Sequence, residues 1–172
     1  MKNLILSCLL ILSVSIANAT PIKDWNSNSL EHVKNTYKNQ PFLLVLWSLD
    51  CPSCFKEFTA LGKWLKKHSQ HHVVIVSTDS STMLPDVRDV INEYNLNNTD
   101  LWIYSKENPV KLRQSVDSKW FGELPRSYFF NKQHQSKAHS GALTDEQLNL
   151  WHTLISKTNT QKSSQTNIKP PN

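Results

Sequence analysis

The chain has 172 residues, 38% hydrophobic and 19% charged, with 3 glycines and 8 prolines. That composition describes one ordinary globular domain, neither collagen-like nor wholly disordered, and the length is too short for two full-sized domains. The net charge of +5 is spread along the sequence without a basic block, which argues against nucleic acid as a partner.

In chain order, residues 1–19 read as a cleaved signal peptide: Lys2 in a short polar start, an apolar stretch over residues 4–16, and Ala17-Asn18-Ala19 as the small-x-small cleavage site before Thr20. The apolar run spans thirteen residues where a bilayer crossing needs about twenty, so a retained N-terminal membrane anchor is the weaker reading. Lipidation at Cys8 is weaker still, since most of the apolar run would follow the modified cysteine. Cleavage removes one basic residue, Lys2, leaving 18 basic against 14 acidic residues, or +4, on a chain of 172 less 19, or 153 residues. That is ample for one hydrophobic core. The expected organisation is a signal segment at 1–19, a domain at 20–157 and a polar, disordered tail at 158–172.

Within the domain, residues 26–39 carry Leu30, Val33 and Tyr37 on one face of a short amphipathic helix, which Pro41 ends. Phe42 to Trp47 is a continuous apolar run of strand length, as expected of a strand covered on both faces. Cys51-Pro52-Ser53-Cys54 follows directly, and Phe55, Phe58, Leu61 and Leu65 then recur at helical spacing. A second buried-type strand is expected at 73–76, a helix from Pro85 with Val87, Val90, Ile91 and Tyr94 inward, a short strand at 101–104, and a short helix from Pro109 to Val116. Residues 126–130 and 137–141 flank a polar turn and read as an antiparallel hairpin. Thr144-Asp145-Glu146-Gln147 is a capping box opening a last helix with Leu148, Trp151 and Ile155 inward.

With Cys8 gone, Cys51 and Cys54 are the cysteines that remain, and both belong to one motif. A secreted domain stapled by disulfides would carry more of them over longer loops. Two cysteines three positions apart across a strand-to-helix turn bring their sulfurs within disulfide distance, with the first at the helix N-terminus. There the unpaired N–H groups and the helix dipole favour a thiolate. Such a cysteine attacks a disulfide, and the second resolves the mixed disulfide that forms. The alternatives are half of a zinc site and an inert short-loop bond; zinc needs two more ligands at suitable spacing, and no second cysteine pair exists. His68, His71 and His72 at the end of the same helix invite a metal- or copper-handling reading, although histidines there also interact well with the helix dipole. No metal or organic cofactor is expected, the redox group being the cysteine pair itself.

Residues 41–58, read as strand, Trp47, CxxC and helix, resemble the thioredoxin fold, and in particular the extracytoplasmic TlpA/ResA/CcmG (DsbE)-like thiol-disulfide oxidoreductases. Cys54-Phe55-Lys56-Glu57-Phe58 is similar to the stretch after that group's second cysteine. The run Gly122-Glu123-Leu124-Pro125-Arg126 and the strand after it resemble the group's second signature, a glycine, a cis-proline and a strand. The resemblance covers residues 30–155 and implies an α/β, thioredoxin-like three-layer fold, with a central mixed β-sheet flanked by helices. It further implies Cys51 as nucleophile, Cys54 as resolving thiol, and Pro125 as a cis-proline facing the disulfide, with the backbone of Leu124 free to pair with an extended substrate. Trp47, Pro52, Ser53 and Leu124 would line the substrate groove, and Glu57 is the candidate proton-handling carboxylate. A trans proline opening an edge strand, a core tryptophan and a solvated glutamate are the plainer readings of Pro125, Trp47 and Glu57. Two departures stand out: the aspartate that thioredoxin places six residues before its first cysteine is replaced by Val45, and Arg126 stands where many relatives carry threonine.

The direction of electron flow follows from how strongly the Cys51 thiolate is stabilised, since a more stable reduced form makes a stronger oxidant. Pro52 and Ser53 add no positive charge, and Asp50 and Glu57 would both oppose the thiolate. The expectation is therefore a periplasmic reductant of disulfides in secreted protein clients, or an exchange protein of middling potential. By the resemblance, the client class includes apocytochrome c, and the electron donor is a membrane thiol reductase of the DsbD/CcdA type. A DsbA-like oxidase or isomerase, or a redox-inactive or copper-handling binding module, are the alternatives.

Overall fold

A computed structural model describes residues 20–165, with side chains through residue 156. The signal segment expected at 1–19, with Cys8, and residues 166–172 lie outside the described residues. Among the described residues there are six strands, β1 (Lys23–Trp25), β2 (Phe42–Trp47), β3 (His72–Ser80), β4 (Asp100–Tyr104), β5 (Arg126–Phe130) and β6 (Ser136–Ser140). With them are five α-helices, α1 (Ser29–Thr36), α2 (Pro52–Lys67), α3 (Leu84–Glu93), α4 (Pro109–Val116) and α5 (Asp145–Gln165), and a 3-10 turn at Ser81–Met83. The strands form one sheet in the order β1-β4-β3-β2-β5-β6. β1 to β4 run parallel, β5 is antiparallel to β2, and β6 is antiparallel to β5. This is the mixed-sheet, thioredoxin-like α/β architecture.

β2 explains the layering. All six of its residues are buried, and because side chains alternate across a strand, Leu43, Val45 and Trp47 join Phe58, Leu61 and Trp64 of α2, Val87 and Ile91 of α3 and Leu148 and Trp151 of α5. Phe42, Leu44 and Leu46 point the other way, to Leu30 and Val33 of α1 and Leu112 of α4. An uninterrupted apolar run is what such a two-sided burial requires.

The boundaries shift where local polar contacts overrule periodicity. α1 is shorter than 26–39, because Asn26 and Ser29 close a turn (Ser29 N–H to Asn26 O, 3.0 Å; Asn26 N–H to Ser29 Oγ, 2.8 Å), and Asn39 takes a φ of 60° beyond the helix end. β3 runs past the apolar core to Ser80, with an irregularity between Ser77 and Ser80, and β6 starts one residue earlier than expected. β1 was not expected: its three residues pair only with distant β4, and Trp25 sits edge-on to Trp102 with ring centroids 5.4 Å apart. The capping box forms, Thr144 N–H donating to Gln147 Oε1 at 2.9 Å and Gln147 N–H to Thr144 Oγ1 at 3.3 Å. With neither Gly nor Pro between that cap and Pro170, the helical backbone continues to Gln165, into the segment expected to be a disordered tail from residue 158.

One glycine sets the distance between α2 and the end of α3. A Cβ on Gly62 would lie 2.3 Å from the main-chain carbonyl oxygen of Tyr94, so the two backbones touch only because the side chain is missing. Gly62→Ala is expected to force them apart and cost about 3 kcal/mol. The measurement is a fall in the urea midpoint at unchanged m-value; an unaltered midpoint would refute the close approach.

Candidate active site

The first turn of α2 is built on Cys51. Cys51 is the helix N-cap, in extended conformation, its sulfur accepts the N–H of Cys54 at 3.2 Å, and Pro52 follows in the first turn, where a missing N–H costs nothing. Cys51 and Cys54 form a disulfide with a Cα–Cα distance of 5.3 Å. The two cysteines differ in access: Cys51 retains 8% exposure and Cys54 none, while Pro52 and Ser53 between them are exposed. An incoming thiolate therefore meets Cys51 first.

The loop entering the motif is pinned from the neighbouring strand. Asp79 accepts the N–H of Leu49 (Oδ2, 3.0 Å) and the hydroxyl of Ser77 (2.7 Å), and its own N–H donates to Ser77 Oγ at 3.1 Å. Thr78 Oγ1 donates to the carbonyl of Trp47 at 3.1 Å. Sequence reading missed Asp79; its signal is the polar run Ser77-Thr78-Asp79-Ser80 at the end of an apolar strand. Trp47 is fully buried and packs edge-on against Phe58, with centroids 4.7 Å apart, so it forms the floor beneath the motif and not an open groove wall. Asp50 is exposed.

The segment before β5 comes to the same place. The register Leu46↔Arg126, carried one residue further, sets Pro125 beside Trp47 at the end of β2. The Leu124–Pro125 peptide bond is cis. Leu124, half-buried, touches both core layers, and its main-chain N–H and C=O have no backbone partner among the described residues. Gly122 takes a φ of 104°, in the left-handed region that favours glycine. Arg126 does not face outward: its guanidinium pairs with Asp117 (3.2 Å) and Glu123 (3.0 Å) and donates to Tyr128 Oη at 3.1 Å, bracing the loop that leads into Pro125.

Glu57 is fully buried, three residues after Cys54 and so on the same face of α2. Its Oε1 accepts the hydroxyl of Ser127 at 2.8 Å, while Oε2 has no partner. Burial pushes its carboxyl up to about 7, against a smaller lowering by the Ser127 hydrogen bond. Ser127 is the cross-strand neighbour of Val45. A buried carboxyl thus exists in the layer that Val45 lines, supplied from the helix and not from the strand. Ser127, which holds it, could not be singled out in the sequence, being one serine in an ordinary strand.

A CxxC disulfide at a helix N-terminus, with a sealed second cysteine, and a cis-proline next to the end of the strand that leads into the motif, is the arrangement of thiol-disulfide exchange proteins. The chain belongs to the AhpC/TSA family, whose model matches residues 17–138, a span that includes both cysteines, Glu57 and Pro125. Comparison with curated proteins gives no match. Among solved structures it is similar to a secreted Mycobacterium tuberculosis disulfide oxidoreductase described as homologous to Escherichia coli DsbE (18% identity, 68% of this chain and 83% of that one, TM-score 0.54). It is also similar to StoA from Bacillus subtilis (23%, 67% and 84%, TM-score 0.51) and to a thioredoxin-related protein from Neisseria meningitidis serogroup B (19%, 68% and 85%, TM-score 0.56). Among the described residues no helix is long and apolar enough to cross a membrane.

Proposed function

We propose that this protein is a periplasmic thiol-disulfide oxidoreductase that reduces disulfides of secreted protein clients, apocytochrome c among them, and is recharged by a membrane thiol reductase of the DsbD/CcdA type. The observation that carries the reading is the asymmetry of the pair, Cys51 retaining 8% exposure and Cys54 none, with the buried carboxyl of Glu57 one helical turn after Cys54. In the reduced protein the Cys51 thiolate attacks a client disulfide, forming a Cys51–client bond and releasing one client thiolate, which takes a proton from water. Glu57 accepts the proton of Cys54, whose thiolate attacks the Cys51 sulfur, closes the Cys51–Cys54 bond and releases the second client thiolate. Glu57 passes that proton to the second client thiolate; two electrons pass to the client, and the donor returns two electrons and one proton, restoring the Cys51 thiolate and the Cys54 thiol. The cis-proline segment supports client binding, since the free main-chain groups of Leu124 can pair with an extended peptide. No other cofactor enters the cycle.

The lean towards reduction rests on Glu57 and on the lack of a cation between the cysteines, both of which disfavour a long-lived thiolate. Equilibrating the pair in glutathione or dithiothreitol buffers is expected to give a reduction potential near or below roughly −270 mV. A value near roughly −120 mV would make the protein an oxidant and overturn this direction.

A further inference from the structure

The far end of α2 carries a second constellation that disulfide exchange does not use. His68 is the C-cap of α2, with its N–H on Leu65 O at 3.2 Å, and His71 closes the following turn by donating its N–H to His68 O at 3.1 Å. His152 comes from α5, and its Nδ1 stands 2.7 Å from His71 Nε2. One ring nitrogen from each of the three lies within 4.8 Å of the others. His72, which the sequence grouped with His68 and His71, turns away: it stacks on Tyr37 at 4.6 Å and meets Gln40 Oε1 at 2.6 Å. Proximity in the chain grouped His72 with His68 and His71, whereas the fold brings His152 to them from more than eighty residues away.

We propose that His68, His71 and His152 form a binding site for one divalent transition-metal ion of the copper and zinc class. Metal–nitrogen bonds of about 2.0–2.1 Å in tetrahedral geometry set the nitrogens about 3.3 Å apart. The 2.7 Å hydrogen bond between His71 and His152, which the ion would replace, and the limit of 4.8 Å bracket that value. The site has a fixed floor, Trp64, whose ring lies 4.6 Å from His68 and 5.2 Å from His71. Trp64 Nε1 in turn donates to Asn149 Oδ1 at 3.1 Å, fixing α2 against α5 one turn before His152. Three imidazoles without a carboxylate suit zinc, copper or nickel and not magnesium or calcium. Three protein ligands leave a fourth position for water or an external donor. The disulfide cannot contribute, because Cys54 stands 14 residues before His68 along α2, about 21 Å at the helical rise. The ion would join the end of α2, the turn before β3 and α5.

Isothermal titration of the untagged, oxidised protein tests this, its cysteines being closed and unable to ligate. With Zn²⁺ alone and Cu²⁺ alone the expected result is one ion per chain with a Kd of about 1 μM or tighter, Cu²⁺ the tighter of the two, and no uptake of Mg²⁺. His152→Ala and, at the helix end where folding is least at risk, His68→Ala should each weaken binding at least about tenfold. His72→Ala should leave it unchanged. The proposal is overturned if neither ion binds saturably, or if folded His68→Ala and His152→Ala variants bind as tightly as the parent.

Discussion

Cys51→Ser is expected to lower dithiol-driven reduction of a disulfide substrate to the rate of the dithiol alone, whereas Cys54→Ser converts the protein into a trap that accumulates mixed disulfides with its clients. The difference follows from access. Cys51 is the more accessible of the two, at the position where backbone N–H groups and the dipole of α2 favour a thiolate. Cys54 is fully buried, and its only reachable electrophile is the Cys51 sulfur. Without Cys54 the first attack still occurs, but release from the client then waits for an outside thiol. Non-reducing electrophoresis of cells expressing Cys54→Ser should show adducts that vanish on adding reductant and are missing for Cys51→Ser. Trapping by Cys51→Ser instead would reverse the assigned order, and no trapping by either variant, with the parent active, would remove the two-cysteine mechanism.

What the sequence made legible is what depends on neighbours in the chain. The apolar run of β2, the helical spacing after Cys54 and the Thr144/Gln147 cap are each decided within a few residues, and they appear where expected. The Cys51–Cys54 bond belongs to the same class, since a three-residue separation needs no distant partner. β1 was missed because its three residues are held in place only by pairing with β4, nearly eighty positions on. Asp79, Ser127 and His152 were missed for the same reason: their importance lies in Leu49, Glu57 and His71, which the fold, and not the chain, brings to them. Glu57 lies between the two classes. Its spacing from Cys54 was visible, but whether it faced water or the core depended on β5 packing under α2.

That burial gives Glu57→Gln an effect on stability that changes with pH. The carboxyl of Glu57 is raised from 4.5 to about 7 in the folded protein, by burial above all. Below the lower value both folded and unfolded chains hold the proton and the site carries no penalty. As pH rises from there towards about 7 the unfolded chain gives up its proton first, so stability from this group falls by about 1.4 kcal/mol per pH unit and is lost by the time pH passes the folded value. The total is about 3 kcal/mol, an order-of-magnitude figure. A glutamine fills the same space, accepts the Ser127 hydroxyl through its carbonyl oxygen and never ionises, so the variant should be the more stable protein at pH 8 and close to the parent at pH 4.5. Urea denaturation of both oxidised proteins across that range isolates the group, because the histidines are common to both and cancel in the difference; parallel curves would mean that Glu57 does not carry a raised carboxyl. The same substitution should slow resolution of the mixed disulfide by about a hundredfold near pH 7, since the amide cannot take the proton of Cys54. A variant that gains stability at high pH and loses turnover there would identify the buried charge as retained for the exchange step and not for the fold.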